Sequence, residues 1–314
     1  MFDATSTTDD VLDGRDLTGR RVLVTGASGG LGLETSRALS AHGATVVMAA
    51  RDVEKNAAAA HSIRSAQPEA RLEELELDLG SLDSVRAAAE RFLADDGPLH
   101  CLIANAGVMA TPQGRTVDGF ETQFGVNHLG HFLLANLLAD RLVESAPARL
   151  VVLSSAGHRM GDVDLDDLNI EQRPYDPFEA YGAAKTANIL HAVEFDRRYR
   201  ARGVRAFSVH PGGIHTELGR YMDAHVRGRM IEMMTGAEAV RWKSVEQGAA
   251  TSVWAATSPW LDRRGGVYCE DCDVSTVLRG DESPGVNEPG VLARAVDPGR
   301  AKRLWRLSEQ LVTT

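Results

Sequence analysis

Arg21 to Leu33 reads Arg-Val-Leu-Val-Thr-Gly-Ala-Ser-Gly-Gly-Leu-Gly-Leu. The apolar run Val22, Leu23, Val24 breaks at Thr25-Gly26, glycines follow at 29, 30 and 32, and a helical pattern then begins. A strand ends there, a tight turn takes residues without a Cβ, and a helix N-terminus is left pointing at the turn. Such a terminus carries unpaired N–H groups and a partial positive charge, so it binds phosphate. The spacing Gly-x-x-x-Gly-x-Gly differs from the common Gly-x-Gly-x-x-Gly, but the mechanics are the same. Alone, the stretch also reads as a plain Gly-rich turn. The rest of the chain decides between the two.

Outward from this turn, apolar strands alternate with helical patterns. A helix follows the turn and stops at His42-Gly43, and strands are expected at Ala44–Ala50, Arg71–Leu77, Leu99–Ala104, Arg149–Ser154 and Val204–Val209. Helices are expected to about Ala66 and Ala94, the latter capped by Ser81, then from about Gly119 to Val143 and from Ala180 to Arg200. Short connections between alternating strands and helices mean a mostly parallel, doubly wound α/β sheet with helices on both faces. Right-handed crossovers gather the strand C-termini on one edge, where ligands bind. Thr25-Gly26, Arg51, Asp78, Asn105–Gly107, Ser155 and His210-Pro211-Gly212 fall at such ends. With no internal repeat and no clear linker, residues 17–314 read as a single domain.

Composition narrows the function class. The 314 residues are 43% hydrophobic with net charge −10, ample for a core and unsuited to a nucleic-acid backbone. No apolar run approaches the roughly 18 residues of a membrane span. Residues 1–16 form a polar, acidic arm, expected to be frayed or loosely docked, and are not a signal peptide. Three cysteines argue against a disulfide framework, so the simplest location is the cytoplasm.

Tyr181 and Lys185 are four apart at the start of a predicted helix and project from one face. A nearby ammonium favours a phenolate and is expected to lower the tyrosine pKa, so the pair could exchange a proton with a carbonyl or alcohol oxygen. Thr25-Gly26-x-x-x-Gly30-x-Gly32, Asn105-Ala106-Gly107, Ser154-Ser155, Tyr181-x-x-x-Lys185 and Pro211-Gly212 occur in that order. Together they resemble the short-chain dehydrogenase/reductase superfamily over roughly Leu17 to Tyr268. Arg51-Asp52, Val126–Phe132, the Ser-Ser-Ala-Gly-His run and the long segment before Tyr181 resemble its retinol dehydrogenase-like and protochlorophyllide reductase-like branch.

The resemblance implies a Rossmann-type domain and a role for each matching residue. Tyr181 is the general acid or base, and Lys185 binds the nicotinamide ribose and tunes Tyr181. Ser155, in preference to Ser154, bonds the substrate oxygen. Asn127 holds a water in the proton relay, its alternative being a helix-interior residue bonded to backbone. Gly26, Ser28, Gly30, Leu31 and Gly32 form the phosphate turn. Asp78 and Leu79 lie at the adenine, Asn105, Ala106 and Gly107 shape the pocket, and Pro211, Gly212, Ile214 and Thr216 lie at the nicotinamide. Asp78 and Thr216 also read as helix caps. The implied reaction moves hydride between a nicotinamide and an apolar aldehyde, ketone or alcohol. Reduction of an activated C=C or C=N bond, and a non-catalytic NADP(H) sensor, stay open as alternatives. Subunits of the family pair through the helices corresponding here to about 119–143 and 180–202, giving a dimer or tetramer.

Cofactor choice rests on the second strand. No acid ends it, and Arg51 suits a 2′-phosphate by charge and fork geometry, pointing to NADP(H), with Asp52 able to oppose it by a local salt bridge. Residues 214–245, carrying Leu218, Tyr221, Met222, Met230, Ile231, Met233 and Met234, read as a substrate lid, the alternative being a helix pair packed on its own core. The acidic residues Asp162, Asp164, Asp166, Asp167 and Glu171 read as a solvated loop rather than a metal site. Cys269 and Cys272 lack the further ligands zinc needs and read as structural, like Cys101. His128, His131, His158, His191 and His210 read as packing or capping residues, and Ala301–Leu311 as a short helix in a tail punctuated by Pro284, Pro289 and Pro298.

Overall fold

Strands β1 (Arg21–Thr25), β2 (Thr45–Ala50), β3 (Arg71–Glu76), β4 (Cys101–Ala104), β5 (Ala148–Leu153) and β6 (Val204–His210) lie close to their expected places. The computed structural model describes residues 2–234, 241–279 and 288–313. Lid residues 235–240, the side chains of Met233 and Met234, and Pro284 lie outside the described residues. Two short pairs, β7 (Gly213–Ile214) with β8 (Trp242–Lys243) and β11 (Val277–Leu278) with β12 (Val291–Leu292), stand apart from the main sheet. With β9 (Val267–Glu270) and β10 (Asp273–Val274), that sheet has the order β10-β9-β6-β5-β4-β1-β2-β3. Every pairing in it is parallel except β9 with β10.

Residue type follows position in the sheet. β1, β4 and β5 are central and buried along their whole length, and they carry continuous apolar runs. β3 is the edge strand and is only partly buried, Leu72 packing into the core on one face and Leu75 into the core on the other, with Arg71, Glu74 and Glu76 exposed. Inward-facing residues divide into two cores. One face packs Val22, Val24, Ile103 and Val151 against α1 (Thr8–Leu12), α2 (Gly30–Ala41), α3 (Val53–Ala66) and α10 (Val245–Thr257). The other packs Leu23, Leu102 and Leu150 against α4 (Leu82–Leu93), α6 (Gly130–Leu137), α8 (Pro177–Tyr199) and α11 (Pro298–Thr313).

Several expectations are corrected. The N-terminal arm is docked, because Thr7 and Asp10 close a capping box on α1, Val11 and Leu12 are buried, and Arg37 pairs with Asp9 at 2.7 Å. The helix expected from Gly119 to Val143 is two pieces: α5 (Thr122–Phe124) continues through a π turn at Gly125–Leu129 into α6, and after a break at Leu138 comes α7 (Ala139–Glu144). α8 begins at Pro177 instead of Ala180, because Asp176 accepts the N–H groups of Phe178 and Glu179 and proline occupies the first turn. β9 and α10 escaped the sequence reading. β9 has four residues, and α10 buries the small residues Gly248, Ala249, Ala250, Thr251 and Ser252 in a run before Val253 and Trp254, so its first half shows no helical stripe of large apolar side chains.

The tail helix α11 is longer than expected. It buries Ala301, Leu304, Trp305, Ser308 and Val312 at helical spacing and lies across α8 and α6, with Arg198 of α8 stacked 4.2 Å from the Trp305 ring. α8 and α6, expected to pair subunits, are thus covered by the chain's own C-terminal helix. No described helix is long and apolar enough to cross a membrane.

Candidate active site

The glycine turn is built by close approach. Gly26 has φ +66°, and a Cβ on Gly32 would stand 2.3 Å from the Gly26 carbonyl oxygen, so α2 starts directly against the end of β1. Asn105 Nδ2 braces the turn from β4 by donating to the Thr25 carbonyl at 2.8 Å. α3, α4, α8 and α10 each have a side-chain cap, from Asp52, Ser81, Asp176 and Ser244, whereas Gly29 gives α2 none. A Cβ on Gly29 would meet nothing within 4 Å. The first N–H groups of α2 therefore have no side-chain cap competing for them, the arrangement that suits an anion at a helix N-terminus. Ser28 lines this turn, and Leu31 packs with Ile214 against Gly248.

Ser155, Tyr181 and Lys185 come together across the ends of β5 and α8. Ser154 is buried and donates to the Lys185 carbonyl at 2.8 Å, which fixes α8 to the sheet. Ser155 is partly exposed, accepts the Gly157 N–H at 3.0 Å, and interacts through its side chain with the Tyr181 phenol. Lys185 Nζ donates to the Leu153 carbonyl at 3.1 Å and lies 5.5 Å from the Tyr181 ring centre. The expected lowering of the phenol pKa is not what the structure shows. Burial pushes Tyr181 up to about 12, against the opposing pull of Ser155, and burial alone brings Lys185 down to about 8. The ammonium faces the ring, and desolvation weakens its own charged form.

Other predicted residues fall around this wall. Asn127 sits in the π turn, its Oδ1 accepting the Val108 N–H at 2.8 Å and its Nδ2 donating to the Val108 carbonyl at 2.9 Å. Both ends of its side chain thus serve backbone. A Cβ on Gly107 would stand 3.1 Å from Asn127 Oδ1 and 3.7 Å from Lys185 Nζ, so the β4 turn brings these residues together. Asp78 accepts the Gly80 N–H, and Leu79 packs under Gly130. Ala106 closes on Gly26, Thr216 caps a short turn at Glu217–Gly219 with its methyl beside Gly30, and Gly212, after Pro211, lies against Lys243. Arg51 Nη2 lies 3.5 Å from the Tyr221 hydroxyl. Asp52 caps α3 through the Lys55 N–H.

Sequence reasoning missed the residues that seat Tyr181. A Cβ on Gly157 would stand 2.7 Å from the Tyr181 ring, one on Gly182 would stand 2.4 Å from the Gly161 amide, and one on Gly161 would stand 2.2 Å from the Glu179 carbonyl. The glycines let the loop after β5 touch α8. The signal was available in the Ser-Ser-Ala-Gly-His run and in Tyr181-Gly182. His158, expected to pack or cap, holds the loop in place. Its Nε2 accepts the Leu292 N–H, so Nδ1 carries the proton and donates to the Ser155 carbonyl at 2.7 Å.

Met222 and Val226 are buried with Ala110 and Phe178, beside Met109, Met160 and Met230. Val226 and Met230 lie on α9 (Ala224–Met234), which Arg229 ties to Asp176 at 2.7 Å. Met160 reaches the same face of Gly157 as Tyr181. A methionine of this apolar cluster therefore adjoins the phenol. The acidic insert is not simply solvated, because Asp162 pairs with Arg300 at 2.7 Å, Asp166 pairs with Arg303, and Asp167 is buried. Among the described residues no group of His, Cys, Asp and Glu could hold a metal. Cys101, Cys269 and Cys272 are free and buried, and burial raises Cys101 to about 12 and Cys272 to about 11.

A family profile described as short chain dehydrogenase matches residues 20–227. The short-chain dehydrogenase/reductase prx1 of Penicillium roqueforti is 42% identical over 320 residues, covering 99% of this chain and 91% of that protein. Retinol dehydrogenase 12 of Mus musculus is 42% identical over 294 residues, covering 94% and 86%. Among solved structures, an uncharacterized protein from Mycobacterium paratuberculosis superposes with a TM-score of 0.72 at 36% identity, covering 99% of this chain and 98% of that one.

Proposed function

The chain belongs to the short-chain dehydrogenase/reductase family, in its retinol dehydrogenase-like branch, and from that premise we propose that it is an NADP(H)-dependent oxidoreductase of apolar aldehydes, ketones or the corresponding alcohols. The observation that carries the reading is the convergence of Ser155, Tyr181 and Lys185, with Met160 of the Phe178–Met222 apolar cluster packed beside the phenol at Gly157. The dinucleotide, when bound, supplies or takes up the hydride. The first turn of α2 would hold its pyrophosphate, Lys185 its nicotinamide ribose, and Thr216 with Ile214 its carboxamide. Ser155 donates to the substrate oxygen and polarises the carbonyl. Tyr181, held protonated by burial, gives its proton to that oxygen in reduction and regains it in oxidation. Lys185 places positive charge beside the phenolate left behind.

Arg51 supports the 2′-phosphate preference. Asp52 caps α3 and makes no hydrogen-bonded pair with Arg51, although its charge still acts on the guanidinium, which extends toward the lid residue Tyr221. In this reading 214–245 is the substrate lid, and the free cysteines support a reducing compartment such as the cytoplasm.

The test is NADPH oxidation against a panel of apolar aldehydes and ketones, with product analysis, beside NADH, Tyr181→Phe and Arg51→Ala. Alcohol formation that collapses in Tyr181→Phe, and an NADPH preference lost in Arg51→Ala, are expected. Saturated carbonyl or amine products would move the reaction to C=C or C=N reduction. NADPH binding without turnover across the panel would point to a sensor.

A further inference from the structure

The Thr25 hydroxyl oxygen accepts two backbone N–H groups, from Asn105 at 2.9 Å and Ala106 at 3.0 Å. A hydroxyl has two lone pairs and one proton. Both lone pairs are taken, so its 2.8 Å contact with His131 Nε2 is made with threonine as the donor. Nε2 therefore carries no proton. A neutral imidazole with bare Nε2 is protonated at Nδ1, and Nδ1 lies 3.0 Å from the Asn127 carbonyl oxygen. The ring is buried, which holds it neutral, with its pKa lowered to about 4. The hydrogen bonds thus run one way, from the β4 turn into Thr25, from Thr25 into His131, and from His131 into Asn127.

The receiving carbonyl is in the π turn, where the Gly130 N–H reaches Gly125, five residues back. An inserted residue of this kind displaces carbonyls from the regular ladder, and π turns recur at functional sites. The same residue, Asn127, stands with Lys185 around Gly107.

We propose that His131 is a positioning residue for proton transfer, bracing the π turn whose Asn127 side chain stands with Lys185 around Gly107 and tying that turn to the one after β1, as the Nδ1-protonated tautomer that Thr25 dictates. The proposal rests on the reading of Tyr181 and Lys185 as the proton-transfer groups. His131 touches no reacting atom and acts through Asn127.

The experiment uses the full chain bound to NADPH. Nitrogen-15 NMR, with the His131 signals assigned by their loss in His131→Gln, reads the tautomer directly. A proton on Nδ1 that persists between pH 6 and 9 is expected, whereas a proton on Nε2 or a titrating ring would overturn the proposal. Glutamine offers an amide donor and a carbonyl acceptor, and leucine offers neither. In His131→Leu, kcat is expected to fall about tenfold or more with KM for NADPH little changed, and His131→Gln is expected to restore most of the loss. Equal losses in the two variants, or a change confined to KM, would overturn it. If His131→Leu does not fold, the tautomer and the His131→Gln kinetics decide. Turnover surviving Tyr181→Phe would sink the reading of the site and this proposal together. Turnover lost in Tyr181→Phe but intact in His131→Leu would sink this proposal alone.

Discussion

Lys185 Nζ stands 5.5 Å from the centre of the Tyr181 ring, buried beneath it, with the Leu153 carbonyl as its hydrogen-bond acceptor. Among the described residues no carboxylate pairs with this ammonium. The protein therefore carries a desolvated charge at the centre of its site, a placement suited to chemistry and unfavourable to stability.

The cost has a pH signature. Burial lowers Lys185 from 10.5 to about 8 in the folded chain, so folding must desolvate its charge. The cost is fully present below pH 8 and disappears as pH rises toward 10.5. A depression of this size corresponds to roughly 3 kcal/mol at neutral pH. Lys185→Met leaves the Leu153 carbonyl with a second donor, Asn188 Nδ2 at 2.9 Å. The variant is expected to melt at a higher temperature than the parent at pH 7, with the gain shrinking by pH 10, and to lose turnover. A lower Tm at pH 7 would show that the ammonium is net stabilising. In the parent, reductive turnover should decline as pH rises through about 8.

Gly157→Ala tests how tightly the phenol is seated. The added Cβ would stand 2.7 Å from Tyr181 Cε1 and 3.1 Å from Met160 Cε. Met160 can move, but the tyrosine ring is wedged by α8 and must tilt. Overpacking of this kind costs about 1–3 kcal/mol, and a displacement near 1 Å at a reacting group costs about a hundredfold in rate. The expected result is a modest drop in Tm with a large drop in kcat and little change in NADPH binding. Unchanged kcat would show that the ring position is not set from this side.

Periodicity made the central sheet legible because β1, β2, β4, β5 and β6 are apolar runs bounded by turn residues. Ser155 was legible because it follows the end of β5, and Tyr181 and Lys185 because their spacing of four puts them on one face of α8. Elements defined by small residues were invisible. α10 hides a buried face of Gly248, Ala249 and Ala250, and Gly157 and Gly182 carry no side chain to notice. The π turn was equally silent, because a single inserted residue barely disturbs a helical pattern. The phenol pKa was misjudged for a different reason. Spacing puts Lys185 near Tyr181, but only coordinates show that it faces the ring and that burial dominates.

The C-terminal helix predicts the state of association. α11 occupies the outer side of α8 and α6 through Leu304, Trp305 and Val312. A second subunit docking on those helices would have to displace it. The chain is expected to sediment as a 33.8 kDa monomer. Trp305→Ala removes the residue that packs against Phe132 at 4.9 Å and under Arg198, and should destabilise the fold by about 3–5 kcal/mol. A stable dimer in sedimentation equilibrium would show that subunits associate through a different surface.

Asp176 joins the helix of Tyr181 to the proposed lid, and two substitutions separate its duties. One carboxylate oxygen accepts the Phe178 and Glu179 N–H groups and caps α8, while the other pairs with Arg229 of α9 at 2.7 Å. Asparagine caps a helix about as well as aspartate but carries no charge. Asp176→Asn is therefore expected to keep a Tm near that of the parent. Its effect should appear in the lid, as a rise of a few-fold in KM for an apolar substrate, in keeping with the roughly 0–1 kcal/mol of a partly exposed ion pair. Asp176→Ala loses the cap as well and should cost about 1 kcal/mol more in stability, with kcat falling as the first turn of α8 frays near Tyr181. Raising the salt concentration should weaken substrate binding by the parent toward that of Asp176→Asn and leave the variant unmoved. If both variants shift Tm equally and neither shifts KM, Asp176 serves α8 alone and α9 is held by its apolar contacts with Phe178 and Ala110.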